Sequence, residues 1–321
     1  MLAYRLQSLD TPPALTDCPV PAPATGEVQI AVGACGLNFA DTLMIRGKYQ
    51  DMPDPPMTLG MEVAGTVTAV GEDVAGFAQG DRVAAYAGHG GMAEIASVPA
   101  SRCLQIPPSM SFEQAAAFQI TYGSAHLALV HRARLAAGET VLVLGAAGGA
   151  GLTAVEVAKA CGATVIASAR GPDKLGVAEA AGADHLIDSD QDPDALKAAF
   201  KGFGGLDVVY DTIGEPLFTP ALRACAPEGR YLPIGFAGGE VPQVPANILL
   251  VKNIDVIGFW WGGYLKFAPG ILTGSLQELL TWFEEGRIRP HISHSLPLSR
   301  ADEALDLIRS RTSTGKVVVT P

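Results

Sequence analysis

A chain of 321 residues is long enough for two domains of roughly 100–150 residues, each with its own core. Hydrophobic residues make up 48% and charged residues 17%, with 37 glycines and 23 prolines scattered without a repeat, which argues against a disordered or fibrous chain. The formal net charge of −11, with no long basic run, argues against a nucleic-acid or anionic-membrane partner.

Five cysteines, Cys18, Cys35, Cys103, Cys161 and Cys225, lie far apart and never as CxxC. That spacing suits neither a disulfide framework nor a cysteine-clustered zinc site, and it predicts a cytoplasmic protein. The opening Met1-Leu2-Ala3-Tyr4-Arg5 lacks an apolar core of signal-peptide length. The longest apolar stretch, 141–158, is interrupted by glycines and Glu156, so it reads as strand, turn and helix rather than as a membrane span.

Up to about Met110 the pattern is of short β-like runs between Pro and Gly: 27–34, 62–70, 81–85 and 92–98. A barrel-like or meandering β domain follows from that texture. At Ser111-Phe112-Glu113-Gln114 a Ser N-cap opens Ala-rich helical periodicity running to about Ala137. Strand-like runs at 140–144, 164–168, 185–187, 207–210 and 230–234, with a sixth at 254–259, then alternate with helical segments. Such alternation needs crossovers, so the fold class is α/β with a doubly wound, parallel, six-stranded Rossmann sheet. Beyond Gly262 the sequence predicts a helix over 275–285, a strand over 295–298, a helix over 300–310 and a last strand over 316–319. The expected division is 121–261 for the α/β domain, with 1–120 and 262–321 forming the other.

The run Val141-Leu142-Val143-Leu144 is continuously apolar, as a central parallel strand must be, and leads directly into Gly145-Ala146-Ala147-Gly148-Gly149-Ala150-Gly151 and the helix 152–160. A turn of this kind sets backbone N–H groups and a helix N-terminus against a pyrophosphate, and side chains there would block the approach. Measured against GxGxxG, Ala146 stands at the first glycine position and Gly148 and Gly151 at the others. A glycine-rich structural turn is the alternative, but strand, turn, helix and a second βα unit agree on a dinucleotide.

Where an NAD-selective protein places an acid after the second strand, this chain has Ala169, followed by Arg170 and Lys174 and preceded by Ser168. A hydroxyl and two cations suit a 2′-phosphate, which selects NADPH. Alternatively, Arg170 and Lys174 are solvated charges on a helix's first turn, although its dipole disfavours cations there.

These features, with Cys35-Gly36-Leu37-Asn38-Phe39-Ala40-Asp41, Gly60-Met61-Glu62-Val63-Ala64-Gly65, Gly80-Asp81-Arg82-Val83 and Gly315-Lys316-Val317-Val318-Val319, resemble the medium-chain dehydrogenase/reductase superfamily, and within it the zinc-free, zeta-crystallin-like NADPH:quinone oxidoreductase branch. The resemblance spans essentially the whole chain. It implies a GroES-like β domain beside the Rossmann domain, NADPH as cofactor, no zinc, and a homodimer paired through the Rossmann edge strand. In zinc-dependent alcohol dehydrogenases of the superfamily the metal takes a Cys, a His just before a Glu, and a second Cys or Asp. The matching positions here are Asn38, Met61 and Ala116, none of which replaces a thiolate or imidazole on Zn²⁺. The four-cysteine structural zinc lobe is missing too, and the histidines, of which only His291 and His294 are near neighbours, read as surface residues.

The resemblance further implies a substrate entering a cleft between the domains and accepting hydride from the nicotinamide. A quinone or conjugated carbonyl needs no metal for this, because the oxyanion formed is delocalised. Asn38 is then the candidate donor to the substrate oxygen and Tyr49 the substrate-facing tyrosine, although Tyr49 also reads as a turn residue packed near Pro53. Asp41 matches the motif and is expected to organise its loop. Leu43 stands where some relatives have another tyrosine. Further cofactor contacts are implied at Ser124, Thr212, Ile213, Gly235, Phe236, Phe259 and Trp260, besides Gly145, Ala147, Gly148, Gly149, Ala150 and Gly151. The aromatic run 259–264 could floor a quinone or acyl pocket or fill an interface core. Two other readings stay open: an enoyl-thioester reductase, and a crystallin-like protein that holds NADPH without turnover.

Overall fold

The computed structural model describes residues 1–321, which divide into two compact units: Met1–Ile120 with Pro290–Pro321, and Thr121–Arg289. In the first unit lie β1 (Leu2–Leu6), β2 (Ala14–Asp17), β3 (Glu27–Gly36), α1 (Phe39–Met44), β4 (Met57–Thr58), β5 (Glu62–Val70), β6 (Arg82–Tyr86), β7 (Ile95–Pro99), β8 (Cys103–Gln105) and α2 (Phe112–Ala116). Along β3, Val28, Ile30, Val32 and Ala34 are buried and the residues between them half-buried, the period-2 alternation of a strand with one face on a core. Ser111 opens α2 as a capping box: its hydroxyl accepts from Gln114 N–H (3.2 Å) and the Gln114 amide oxygen accepts from Ser111 N–H (3.1 Å). The helical stretch expected to run on to Ala137 is interrupted. It resumes as α3 (Gln119–His126) and widens into a π-helical turn over Leu127–Arg132.

In the second unit, β9 (Thr140–Leu144), α4 (Gly149–Ala160), β10 (Thr164–Ala169), α5 (Pro172–Ala180), β11 (His185–Asp188), α6 (Pro193–Lys201), β12 (Leu206–Asp211), α7 (Phe218–Ala224), β13 (Cys225–Pro233), α8 (Ala246–Lys252) and β14 (Asp255–Val256) alternate as expected. All pairings are parallel, in the order β11-β10-β9-β12-β13-β14. The chain builds outward from β9 to one edge, crosses back, and builds to the other, so β9 and β12 flank the topological switch point where open α/β sheets bind ligands. Leu142, Leu144, Ile166, Phe200, Val209, Phe218 and Tyr231 fill the core beneath this sheet. The sixth strand is two residues long rather than the whole of 254–259. Only the Ile257 N–H continues its bonding, to Tyr231 O at 2.8 Å.

The helices α9 (Trp261–Phe267) and α10 (Pro269–Glu284) belong to this second unit, so the chain returns to the first at Pro290 and not at Gly262. The reason is packing: Gly123 leaves room for the Trp261 indole, which a Cβ there would meet at 2.5 Å, and Ser275 hydrogen-bonds His126 (2.9 Å). After the return, β15 (Ile292–Pro297), α11 (Ala301–Arg309) and β16 (Lys316–Thr320) complete the first unit. Its larger sheet runs β15-β16-β3-β5-β6-β8, with β7 also on β3. This topology brings the C-terminal Lys316 to the end of β3 that leads to Asn38.

Candidate active site

The glycine turn sits at the carboxyl end of β9, and three of its four glycines differ in what the chain asks of them. Gly145 has φ +76°, and a Cβ there would lie 2.4 Å from Thr212 Oγ1. Gly151 is buried in the first turn of α4, and a Cβ there would lie 2.1 Å from Gly145 O, so close helix-to-turn packing demands it. Gly148 meets neither demand. Its φ is −79°, it is exposed, and a Cβ would find only Gly145 O at 3.5 Å. Nothing inside the chain requires glycine at 148, whereas a group approaching the backbone from outside would. Gly148 is also the N-cap of the twelve-residue α4, with no side chain over the helix's first N–H groups. The cradle therefore fits a pyrophosphate. The tight-turn glycine proves to be Gly145, one residue before the position that GxGxxG matching assigns to Ala146.

Other strand ends converge on the same side of the sheet. Thr212 Oγ1 donates to Leu144 O across the switch point (2.9 Å), placing Thr212 and Ile213 against Gly145. The carboxylate of Asp211, fully buried, accepts from the N–H groups of Ile213 (2.8 Å) and Gly214 (2.9 Å) and from the Tyr231 hydroxyl (2.8 Å). Burial nevertheless holds its pKa above the usual carboxylate range. Gly235 N–H donates to Asp211 O (3.2 Å), and the next residue, Phe236, is 39% exposed. At the end of β10, Arg170 is exposed and Lys174 half-buried one turn into α5. Ser168 is fully buried instead. Its carbonyl accepts from the N–H groups of Gly145 and Ala146 (3.0 and 3.1 Å), while its hydroxyl has no partner in the chain. Ala147 is buried, Gly149 and Ala150 are half-buried in the turn, and Ser124 is buried in α3.

A second polar centre lies in the other unit. Asp41 accepts from Asn38 N–H (2.7 Å) and Gly60 N–H (3.2 Å), joining the start of α1 to the loop before β5. Burial pushes its carboxyl up to about 7 against those two bonds. The Asn38 side chain lies between two charged groups: its Oδ1 accepts from Lys316 Nζ (2.8 Å) and its Nδ2 donates to Glu62 Oε1 (3.0 Å). Lys316 also donates to Glu62 Oε1 (2.7 Å) and to Leu37 O (2.8 Å), and Glu62 Oε2 accepts from Ile120 N–H (3.0 Å). Lys316 and Glu62 are 5% and 1% exposed. A buried ion pair of this kind holds only when each remaining polar site is met, as here. Met61 is buried beside it. Tyr86 faces Glu62 in the β5–β6 register, and burial, with Tyr49 and Asp51 close by, holds its phenol well above the ordinary value. Tyr49 itself is half-buried.

Sequence reasoning gave Lys316, Glu62 and Tyr86 no role. For Lys316 and Glu62 the signal was a charge at the head of an otherwise apolar strand, as in Lys316-Val317-Val318-Val319; Tyr86, the last residue of β6, carried no such signal. The aromatic run is divided by the fold. Trp261 and Tyr264 are buried, and Tyr264 packs on Phe259 and Phe267 with ring centroids 5.9 and 4.6 Å away. Trp260 is 37% exposed beneath Lys266. No group of three or more His, Cys, Asp or Glu side chains is placed to hold a metal, all five cysteines are free, and no helix is long and apolar enough to cross a membrane.

Residues 24–108 match the alcohol dehydrogenase GroES-like domain, and residues 149–284 match the family described as zinc-binding dehydrogenase. With the Rossmann topology and the glycine cradle, these define an oxidoreductase of the medium-chain dehydrogenase/reductase superfamily. The chain is 42% identical over 300 residues to the quinone oxidoreductase-like protein 2 homolog of Nematostella vectensis, covering 92% of this chain and 82% of that one. It superimposes on the quinone oxidoreductase of Thermus thermophilus, solved also with NADPH, with TM-score 0.87, 36% identity and complete coverage of both chains. The Escherichia coli quinone oxidoreductase complexed with NADPH gives TM-score 0.89 at 29% identity, covering 100% of this chain and 99% of the other. The chain belongs to the quinone oxidoreductase-like family of that superfamily.

Proposed function

We propose that the protein is an NADPH-dependent reductase that passes hydride to quinones or related conjugated carbonyls without a metal. The observation that carries the cofactor is Gly148, whose glycine the chain itself does not need, beside Arg170 and Lys174 where an acid would select NAD. The N–H groups at the α4 N-terminus hold the pyrophosphate, Arg170 and Lys174 the 2′-phosphate, and Thr212, Ile213, Gly235 and Phe236 border the remainder. NADPH, when bound, supplies the hydride.

The chain's own residues then have two tasks: to orient the acceptor, and to stabilise the oxygen that gains charge. Asn38 is the donor to that oxygen, and Tyr49 faces the substrate. A quinone or enone tolerates the absence of a Lewis acid because its developing oxyanion is delocalised, and the proton that completes reduction comes from solvent or a tyrosine. Asn38, Met61 and Ala116, at positions where zinc-dependent relatives carry ligands, support the metal-free reading. Pairing of two copies through the β14 edge of the six-stranded sheet belongs to the same reading, and sedimentation at micromolar concentration tests it.

The direct experiment follows NADPH absorbance with 1,2-naphthoquinone, a 2-alkenal and crotonyl-CoA in turn. Turnover of the first or second is expected. Activity confined to crotonyl-CoA would make the protein an enoyl-thioester reductase, and tight NADPH binding with no turnover would make it a dinucleotide-binding protein.

A further inference from the structure

The Lys316 ammonium has three N–H donors and three oxygen acceptors at 2.7–2.8 Å: Glu62 Oε1, Asn38 Oδ1 and Leu37 O. Fully engaged and 5% exposed, it has no donor left for a substrate. Its effect passes through Asn38. Because Oδ1 faces the ammonium, the carboxamide has one orientation, with its NH₂ group turned the other way. One of those N–H groups goes to Glu62 at 3.0 Å. For the other the chain offers only Gly36 O at 3.5 Å, the limit of a hydrogen bond. Asn38 is partly exposed, whereas both charged neighbours are buried.

We infer that Lys316 and Glu62 are positioning residues, a buried ion pair that locks the Asn38 carboxamide and polarises it so that its second N–H is a strong, preoriented donor. This rests on the donor role proposed for Asn38. A cation pulling on the amide oxygen withdraws charge from the amide nitrogen, and hydrogen bonds in series strengthen one another where the dielectric is low. Fixing a neutral amide in advance also spares reorganisation when charge develops. Lys316 thus sets a fixed cation against the amide oxygen, Glu62 balances its charge and anchors one N–H, and the other N–H is held in place.

The test compares the full-length wild type with Lys316→Met and with Lys316→Met/Glu62→Gln, the second of which leaves no buried charge unpaired. Thermal unfolding and NADPH titration establish that the double variant is folded and loads cofactor. Its kcat with 1,2-naphthoquinone is expected to fall roughly 10–100-fold, as for loss of a residue that orients a reacting group, with KM within about threefold. Independently of turnover, 4-nitrophenol added to the NADP⁺-loaded protein is expected to bind more as phenolate in wild type than in the double variant. A double variant with wild-type kcat would overturn the inference, since the pair would then serve folding alone. If wild type reduces no quinone, the function reading fails separately, and the nitrophenol comparison decides. Loss of the phenolate signal in the double variant upholds the inference, and equal signals, including none in either, overturn it.

Discussion

The two polar centres are built by opposite means. The turn after β9 works through backbone and through missing side chains. One glycine satisfies a left-handed φ, one a contact that a Cβ would close to 2.1 Å, and one nothing within the chain. The Asn38 centre works chiefly through side chains, a lysine, a glutamate and an amide that satisfy one another in the interior with Leu37 O and Ile120 N–H completing the set. The first offers the N–H groups at the start of α4, which no side chain caps. The second is internally neutral and almost complete, with one amide N–H left. The former suits holding a charged group that stays through the reaction, the latter meeting charge that appears only during it.

The largest effect is expected where the second centre is broken on one side. Lys316→Met strands a buried carboxylate and is expected to cost about 3–5 kcal/mol in urea denaturation. Removing Glu62 as well is expected to restore most of that, and a double variant as unstable as the single one would show that the charges do not compensate one another. In the first centre, Gly151→Ala is expected to cost about 1–3 kcal/mol despite alanine's better helix propensity, because the Cβ overlaps Gly145 O. Unchanged stability would show that the turn yields.

Replacing Arg170 and Lys174 together by Ala is expected to weaken NADPH roughly 10–100-fold and NADH hardly at all, by loss of charge-assisted bonds to the 2′-phosphate. Equal losses in a fluorescence titration would refute that assignment. The most gradual effect, spread over a range of pH, concerns Glu156 of α4, whose carboxylate accepts from the Tyr122 hydroxyl and from Arg289 N–H (3.0 Å). Burial raises its pKa to about 7. The unfolded chain ionises first as pH rises, so stability is full below about pH 4.5 and declines until about pH 7, by at most about 1.4 kcal/mol per pH unit. Glu156→Gln is expected to flatten that part of the stability profile, and an unaltered slope would remove Glu156 from the account.

The sequence displayed the first centre and concealed the second for the same physical reason. Gly145 to Gly151 are contiguous, and a backbone motif is written in one place, so strand, turn and helix declared themselves together. Arg170 and the residues after β12 and β13 followed from strand ends. Lys316 and Asn38 lie 278 positions apart and meet only because β16 pairs with β3. No periodicity reports that pairing, although a lysine entering Val317-Val318-Val319 marks a buried charge in need of a partner. The return at Pro290 was hidden because nothing in the pattern of α9 and α10 says which unit they join; the packing of Trp261 over Gly123 and the Ser275–His126 hydrogen bond tie them to the second. Ser168 misled because a hydroxyl at a strand end reads as a ligand, whereas here the strand turns it fully inward.

Gly148 isolates the question of whether the turn is shaped for something outside the chain. Gly148→Ala adds one methyl group that meets no protein atom closer than 3.5 Å. Thermal unfolding is expected to shift by no more than about 0.5 kcal/mol, while calorimetric NADPH affinity falls at least about tenfold, some 1.4 kcal/mol. A Gly148→Ala protein that binds NADPH as tightly as wild type would show that the cofactor does not approach the backbone at this turn.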